Sequence, residues 1–318
     1  MSSMSNALSV QKQNTSGRSL IHFAWLTLAY NVGVIIWGAY VRATGSGAGC
    51  GSHWPLCNGE IVVPAAPTKT LIEYTHRVTS GLALISVIAL VIWCWRTTRR
   101  GNWSRPASAL ALAFMLNEAF LGALLVKFNY VAQNASTARA VVLSLHFANT
   151  LLLLACLATT AYLLSSRACD FVLRAKRRDL VLIAAGLLAV MTMGVTGSLA
   201  ALGDTLFPAQ SLQSSLHQDF SSASFYLLRI RFLHPLAALL GGAYILWLLT
   251  RHFHNQRSRH RLFTAVCVLL GAQVIMGSAN VLLLAPVWLQ LVHLAVADCL
   301  WISLVVVSAD LLFATSWS

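Results

Sequence analysis

Charge is scarce in this 318-residue sequence: Asp, Glu, Lys and Arg together make up 10% of it, and the acids number only nine. Such a surface cannot solvate a water-soluble enzyme of this length, so that class is excluded. No Cys-x-x-Cys-His run occurs, which leaves covalent c-type haem attachment without support, and the seven cysteines are too dispersed for a disulfide scaffold. Only Cys50 and Cys57 stand as a pair. What is abundant is apolar: 58% hydrophobic residues and a mean hydropathy of +0.71 mark an integral membrane protein whose core is built in the lipid bilayer. The net charge of +13 does not indicate a nucleic-acid partner, because Lys and Arg gather in short connections between apolar runs.

The stretch from Leu71 to Trp95 shows the plan. Glu73, His76 and Arg77 fall within about one helical turn, and no charge follows from Val78 to Trp95, a run long enough to cross roughly 30 Å of hydrocarbon. Seven further apolar runs lie near residues 20–41, 107–126, 140–164, 180–202, 227–250, 262–284 and 287–309. The first is longer than a signal-peptide core and ends in Tyr40-Val41-Arg42 without a cleavage pattern, so it reads as a retained span. Arginines crowd the connections after the second, fourth and sixth spans: Arg96, Arg99, Arg100 and Arg105; Arg167, Arg174, Lys176, Arg177 and Arg178; Arg251, Arg257, Arg259 and Arg261. By the positive-inside rule these connections and both termini are cytoplasmic in a cell (inner) membrane. The expected fold is an all-α integral membrane protein of eight transmembrane helices. Its expected parts are a cytoplasmic segment 1–19, a four-helix half 20–165, a basic linker 166–179 and a second four-helix half 180–312.

Fragments recur in order between the halves. Thr44-Gly45-Ser46 matches Thr196-Gly197-Ser198, His76 matches His234, Phe120-Leu121-Gly122 matches Ile275-Met276-Gly277, and Leu145-His146 matches Val292-His293. A four-span unit returns the chain to its starting side, so the two tandem bundles would be related by a pseudo-two-fold axis along the membrane normal. The four histidines then form one layer, roughly 8 to 12 Å below the outer boundary at 1.5 Å per residue. Within each half two imidazoles can face each other across a bundle, where they would supply axial ligands to a haem iron. Hydrogen bonding between helices is the plainer use of one such histidine, and four at matched depth argue against it. A zinc or copper site lacks the Cys, Asp or Glu cluster it would need.

Arg42, Arg77, Arg139, Arg229 and Arg231 lie near the outer ends of spans, where haem propionates or simple interface anchoring would use them. His22, His252, His254 and His260 sit among basic cytoplasmic residues, and His53 and His217 in outer loops. Glu73 precedes His76 by three positions, whereas the equivalent place before His234 is Arg231, so one half offers a carboxylate and the other a cation. Cys50 and Cys57 share an outer loop on the oxidising side. A disulfide is one reading and free or metal-binding thiols are the other.

GAYVRATGSGAGC, WPLCNG and EYTHR, together with His146, His234 and His293, resemble the haem A synthase family, and the likeness extends over all eight spans. That family oxidises a ring methyl of haem O to a formyl group by successive hydroxylations, giving haem A for terminal oxidases. The resemblance implies that His234 and His293 hold a resident haem B iron. It implies that His76 and His146 flank the iron of the haem O substrate, with Glu73 essential to the chemistry. It also implies a Cys50–Cys57 pair like that of one branch of the family; the second pair common in that branch is missing, since residues 203–226 hold no cysteine. An electron donor, a haem O synthase and oxidase assembly factors are the partners it suggests, and homo-oligomers are open. A bis-histidine diheme b-type cytochrome would use the same four histidines but leaves Glu73 without a task. A transporter would suit the duplication but lacks matched broken helices at the midplane.

Overall fold

Within hydrocarbon every backbone N–H and C=O must be satisfied inside the protein, which leaves long apolar segments little choice but helix. A computed structural model of the chain describes residues 2–63, 66–166, 171–173, 176–253 and 260–315. Its helices are α1 (Ser2–Ala43), α2 (Thr68–Thr97), α3 (Ser104–Lys127), α4 (Thr137–Ser165), α5 (Arg177–Leu206), α6 (Leu212–Phe220), α7 (Tyr226–Arg229), α8 (Leu233–Phe253), α9 (His260–Leu282) and α10 (Val287–Leu312). Eight segments are long and apolar enough to span a membrane: Gly17–Ala43, α2, α3, α4, α5, Tyr226–Arg251, Leu262–Leu282 and α10. The chain is a multi-pass membrane protein. Two features were not legible in the sequence, the short helices α6 and α7 between the fifth and sixth spans, and a three-residue antiparallel pairing of β1 (Phe171–Leu173) with β2 (Phe313–Thr315). Arg167, Arg174, His254, Arg257 and Arg259 lie outside the described residues, as do the side chains of His252, His260 and Arg261.

Packing closes two rings of helices. In the first, α1 packs on α2, α2 on α3, α3 on α4 and α4 back on α1; in the second, α5 packs on α8, α8 on α9, α9 on α10 and α10 on α5. The seam between the rings is made by α1 and α4 against α5 and α10. The apolar core runs continuously through it, from Leu28, Val87 and Met115 through Leu151, Leu154 and Leu157 to Val190, Trp301 and Leu304. Hydrophobic burial does not drive helices together in lipid, so polar contacts across helix pairs matter more. Trp301 Nε1 donates to the Leu151 carbonyl at 2.7 Å, and Tyr162 Oη donates to Asp310 Oδ1 at 2.8 Å, both joining α4 to α10. Trp25 Nε1 to Ser165 Oγ joins α1 to α4, and Tyr244 Oη to the Leu182 carbonyl joins α8 to α5.

At the end bearing the 44–67 loop, Arg42 of α1 reaches into the second ring. Its Nη1 donates to the Ala201 carbonyl at 2.7 Å and to Thr205 Oγ1 at 2.9 Å, and its Nη2 to Gln290 Oε1 at 3.2 Å. Gln290 in turn donates from Nε2 to the Ala285 carbonyl at 2.6 Å. That carbonyl belongs to the tight turn between α9 and α10, where Leu284 (φ 59°) and Ala285 (φ 52°) both take the left-handed conformation that non-glycine residues avoid.

Candidate functional site

Each histidine of the layer is set by its helix and by a glycine opposite. His76, His146, His234 and His293 stand eight residues after Thr68, nine after Thr137, eight after Tyr226 and six after Val287, the first residues of their spans. A Cβ built on Gly38 would lie 2.9 Å from His76 Cε1, and one on Gly197 2.9 Å from His234 Cε1. The same construction on Gly122 and Gly277 meets His146 Cε1 at 3.8 Å and His293 Cε1 at 3.5 Å. Four imidazoles thus lie in four glycine notches, each on the preceding span. The notches also correct the internal alignment. Gly38, not Gly45, is the partner of Gly197, so the matching Thr-Gly-Ser tripeptides are seven residues out of register. Gly45 (φ +62°) is a left-handed turn residue past the end of α1, whereas Gly197 is a helical residue facing a ring.

The structure brings His234 and His293 together with ring centroids 6.4 Å apart and planes at 84°. Two imidazole nitrogens bound at about 2 Å to one metal ion from opposite sides put their ring centroids roughly 6 Å apart, so the separation of this pair is compatible with both rings binding one metal ion. His234 Nδ1 lies 3.0 Å from the Met193 carbonyl and 3.4 Å from Thr196 Oγ1. A carbonyl only accepts, so Nδ1 carries the proton and Nε2 is left with its lone pair. His76, His146 and His293 each have a buried Nδ1 without a hydrogen-bond partner among the described residues. His76 and His146 sit on α2 and α4, diagonal in the first ring, as His234 and His293 sit on α8 and α10 in the second.

Glu73 is buried and fully engaged. Its Oε2 accepts from the Cys50 backbone N–H at 2.8 Å, and its Oε1 accepts from Arg77 Nη2 at 2.5 Å and Nε at 3.2 Å. Arg77 also donates to the carbonyls of His53 and Leu56. The carboxylate is therefore the joint between α2 and the loop that Cys50 and Cys57 close as a disulfide. Gly49 makes that docking feasible: a Cβ there would sit 2.7 Å from the backbone of Lys69 and Thr70. In the second half, Arg231 is buried between Asp204 (2.6 Å from Nη1) and Asp219 (2.7 Å from Nη2). The contrast of a carboxylate in one half with a cation in the other does not survive, because a buried guanidinium recruits its own counter-charges. Arg139 is spent on the Ala132 and Asn134 carbonyls. Of the five arginines only Arg229 is exposed and without a carboxylate or carbonyl partner among the described residues.

A family model described as cytochrome oxidase assembly protein, COX15-CtaA, matches residues 21–305, a range that holds all four histidines, Glu73 and the Cys50 loop. The chain belongs to the COX15-CtaA family. It is 30% identical over 271 residues to the Heme A synthase of Staphylococcus saprophyticus, covering 80% of this chain and 83% of that protein. It is 42% identical over 111 residues to the Heme A synthase of Halalkalibacterium halodurans, about a third of each chain. A protein of Thermus thermophilus named Protoheme IX farnesyltransferase is 44% identical over 295 residues, 92% of this chain and 48% of that protein. The chain thus spans about half the length of the curated Thermus relatives it matches.

Two carboxylates of this COX15-CtaA chain escaped the sequence reading. Glu118 is the only ionisable residue of α3 between Arg105 and Lys127 and lies on the helix that faces His146. Asp298, five residues beyond His293, is 1% exposed, and its Oδ2 has no hydrogen-bond partner among the described residues. The signal that would have found both is an acid inside an apolar span, which is costly in lipid and therefore functional by default.

Proposed function

We propose that this chain is a haem A synthase, oxidising the ring methyl of haem O to a formyl group. On this reading His234 and His293 hold a resident haem B and His76 and His146 flank the substrate. The observation that carries it is the layer of four histidines in glycine notches, one pair of which, His234 and His293, stands close enough that the two rings would hold one iron between them. Bound iron supplies the redox chemistry. The chain's own residues orient the ligands: the Met193 carbonyl fixes the His234 tautomer, and the notches fix where each ring lies. Glu73 holds an anionic acceptor one helical turn from His76 and ties it to the disulfide loop, so the carboxylate can take part in proton movement only from that fixed place.

The Staphylococcus and Halalkalibacterium names support the assignment. The Thermus name does not compete with it directly, since half of that protein lies outside the match. It does suggest that a protoheme farnesyltransferase, which makes haem O, works alongside this one. The arginines after α2, Arg99 and Arg100, lie at the opposite end of that helix from the Cys50 loop, which supports a histidine layer towards the outer face of the cell membrane and cytoplasmic termini. The two helix rings and their mirrored seam likewise support a pseudo-two-fold axis along the membrane normal.

Haems extracted from protein purified out of haem O-producing cells should comprise haem B together with haem O, a hydroxylated haem or haem A. Two haem B per chain, unchanged when haem O is supplied, would instead favour a diheme b-type cytochrome. The notches give a second test. Gly38→Ala and Gly197→Ala push a methyl to 2.9 Å from an imidazole carbon and should each cost most of the haem of one half, whereas Gly122→Ala and Gly277→Ala, at 3.8 and 3.5 Å, should keep it. Haem content per chain from absorbance reads the difference.

A further inference from the structure

Glu118 and Gly122 lie one turn apart on the same face of α3, beneath His146. The carboxylate is held by two donors on α4: Asn149 Nδ2 to Oε2 at 2.5 Å and Thr150 Oγ1 to Oε1 at 2.5 Å. Asn149 is itself fixed, donating to the Phe114 carbonyl at 2.9 Å and accepting from Asn117 Nδ2 at 2.7 Å. Oε1 then stands 3.4 Å from His146 Nδ1, a nitrogen with no hydrogen-bond partner in this geometry. The second half supplies an internal control. Four residues before Gly277, the place of Glu118 is taken by Gln273, which donates from Nε2 to the His293 carbonyl at 3.0 Å and brings no charge.

Resting on the haem reading above, we propose that Glu118 is a positioning residue for the ligand His146: its clamped carboxylate orients the imidazole through Nδ1 and lowers the reduction potential of the iron that His146 binds. A carboxylate behind a metal-bound imidazole fixes its tautomer and raises its basicity. An anion in low dielectric also favours ferric over ferrous iron, and second-sphere hydrogen bonding is one of the levers a protein has on haem potential. The Glu73–Arg77 pair is engaged with the Cys50 loop and Arg231 with Asp204 of α5 and Asp219 of α6, so Glu118 is the acid that stands beside this nitrogen.

The test is a redox titration of purified, haem-loaded protein followed by its α-band absorbance. His146→Ala should delete one component and thereby identify it. Glu118→Gln, an isostere that repeats the residue at 273, should keep the haem and raise the midpoint of that component alone by about 59 mV or more, the shift of a tenfold change in the ferric-to-ferrous ratio for one electron. Gln273→Glu should lower the other component, and it decides the matter if Glu118→Gln fails to accumulate. Midpoints unmoved in the variants that accumulate would overturn the role of Glu118. If His146→Ala deletes no component, the haem assignment itself falls, a result that the titration keeps distinct.

Discussion

Glu73→Gln should cut conversion of haem O by a hundredfold or more while leaving most of the protein folded. On the haem A synthase proposal this one carboxylate has two jobs. As a strut, Glu73 needs only an acceptor for the Cys50 N–H, and glutamine keeps one. As the anion that the proposal places beside the substrate, it would contribute what glutamine cannot, and positioned acid–base groups are worth about 10² to 10⁴ in rate. The substitution also removes the counter-charge of Arg77, which retains the His53 and Leu56 carbonyls, so a modest loss of thermal stability should accompany the loss of activity. Haem O and haem A fractions, measured in cells and normalised to membrane-inserted protein, check it. Full conversion by the variant would leave Glu73 a strut and nothing more.

Replacing Arg231 should be the most destabilising single change outside the histidine layer. Arg231→Leu leaves Asp204 and Asp219 facing each other with no cation between them, and removal of one partner from a buried pair costs about 3–5 kcal/mol. The two acids are partly exposed, with side-chain exposures of 28% and 16%, so about 2–3 kcal/mol is the realistic figure once water screens them. Arg231 also donates to Ser215, so α5, α6 and the start of α8 loosen together. Thermal unfolding in detergent, followed by loss of the haem Soret band, reads the effect. Restoring much of the loss by adding Asp204→Asn and Asp219→Asn would show that the unbalanced charge is its source.

What was legible in the sequence is what lipid enforces. Eight spans, the paired histidines and the acid, imidazole and guanidinium before Val78 were visible because ionisable groups beside apolar runs have few reasons to be there. What was illegible depends on long-range pairing: Arg231 finds its acids 27 and 12 residues away, and nothing local marks either as its partner. Arg42 likewise bonds partners 159 to 248 residues distant, so its reading as a propionate contact rested on depth alone. The Thr-Gly-Ser match failed for a different reason. Glycine serves backbone turning at one position and close packing at the other, and a tripeptide string does not say which.

The turn between α9 and α10 carries a consequence for assembly. Leu284 and Ala285 each pay about 1 kcal/mol for a left-handed backbone, and the Ala285 carbonyl is held by Gln290, itself held by Arg42 from the opposite end of the sequence. The last hairpin is therefore poorly able to mature alone. During synthesis the first bundle inserts while the remainder is still unmade, so the guanidinium waits at the seam before the final pair of spans arrives. A first bundle that misfolds therefore withholds the Arg42 contact on which Gln290 and the last turn rest, so the final hairpin depends on the fold of the first half.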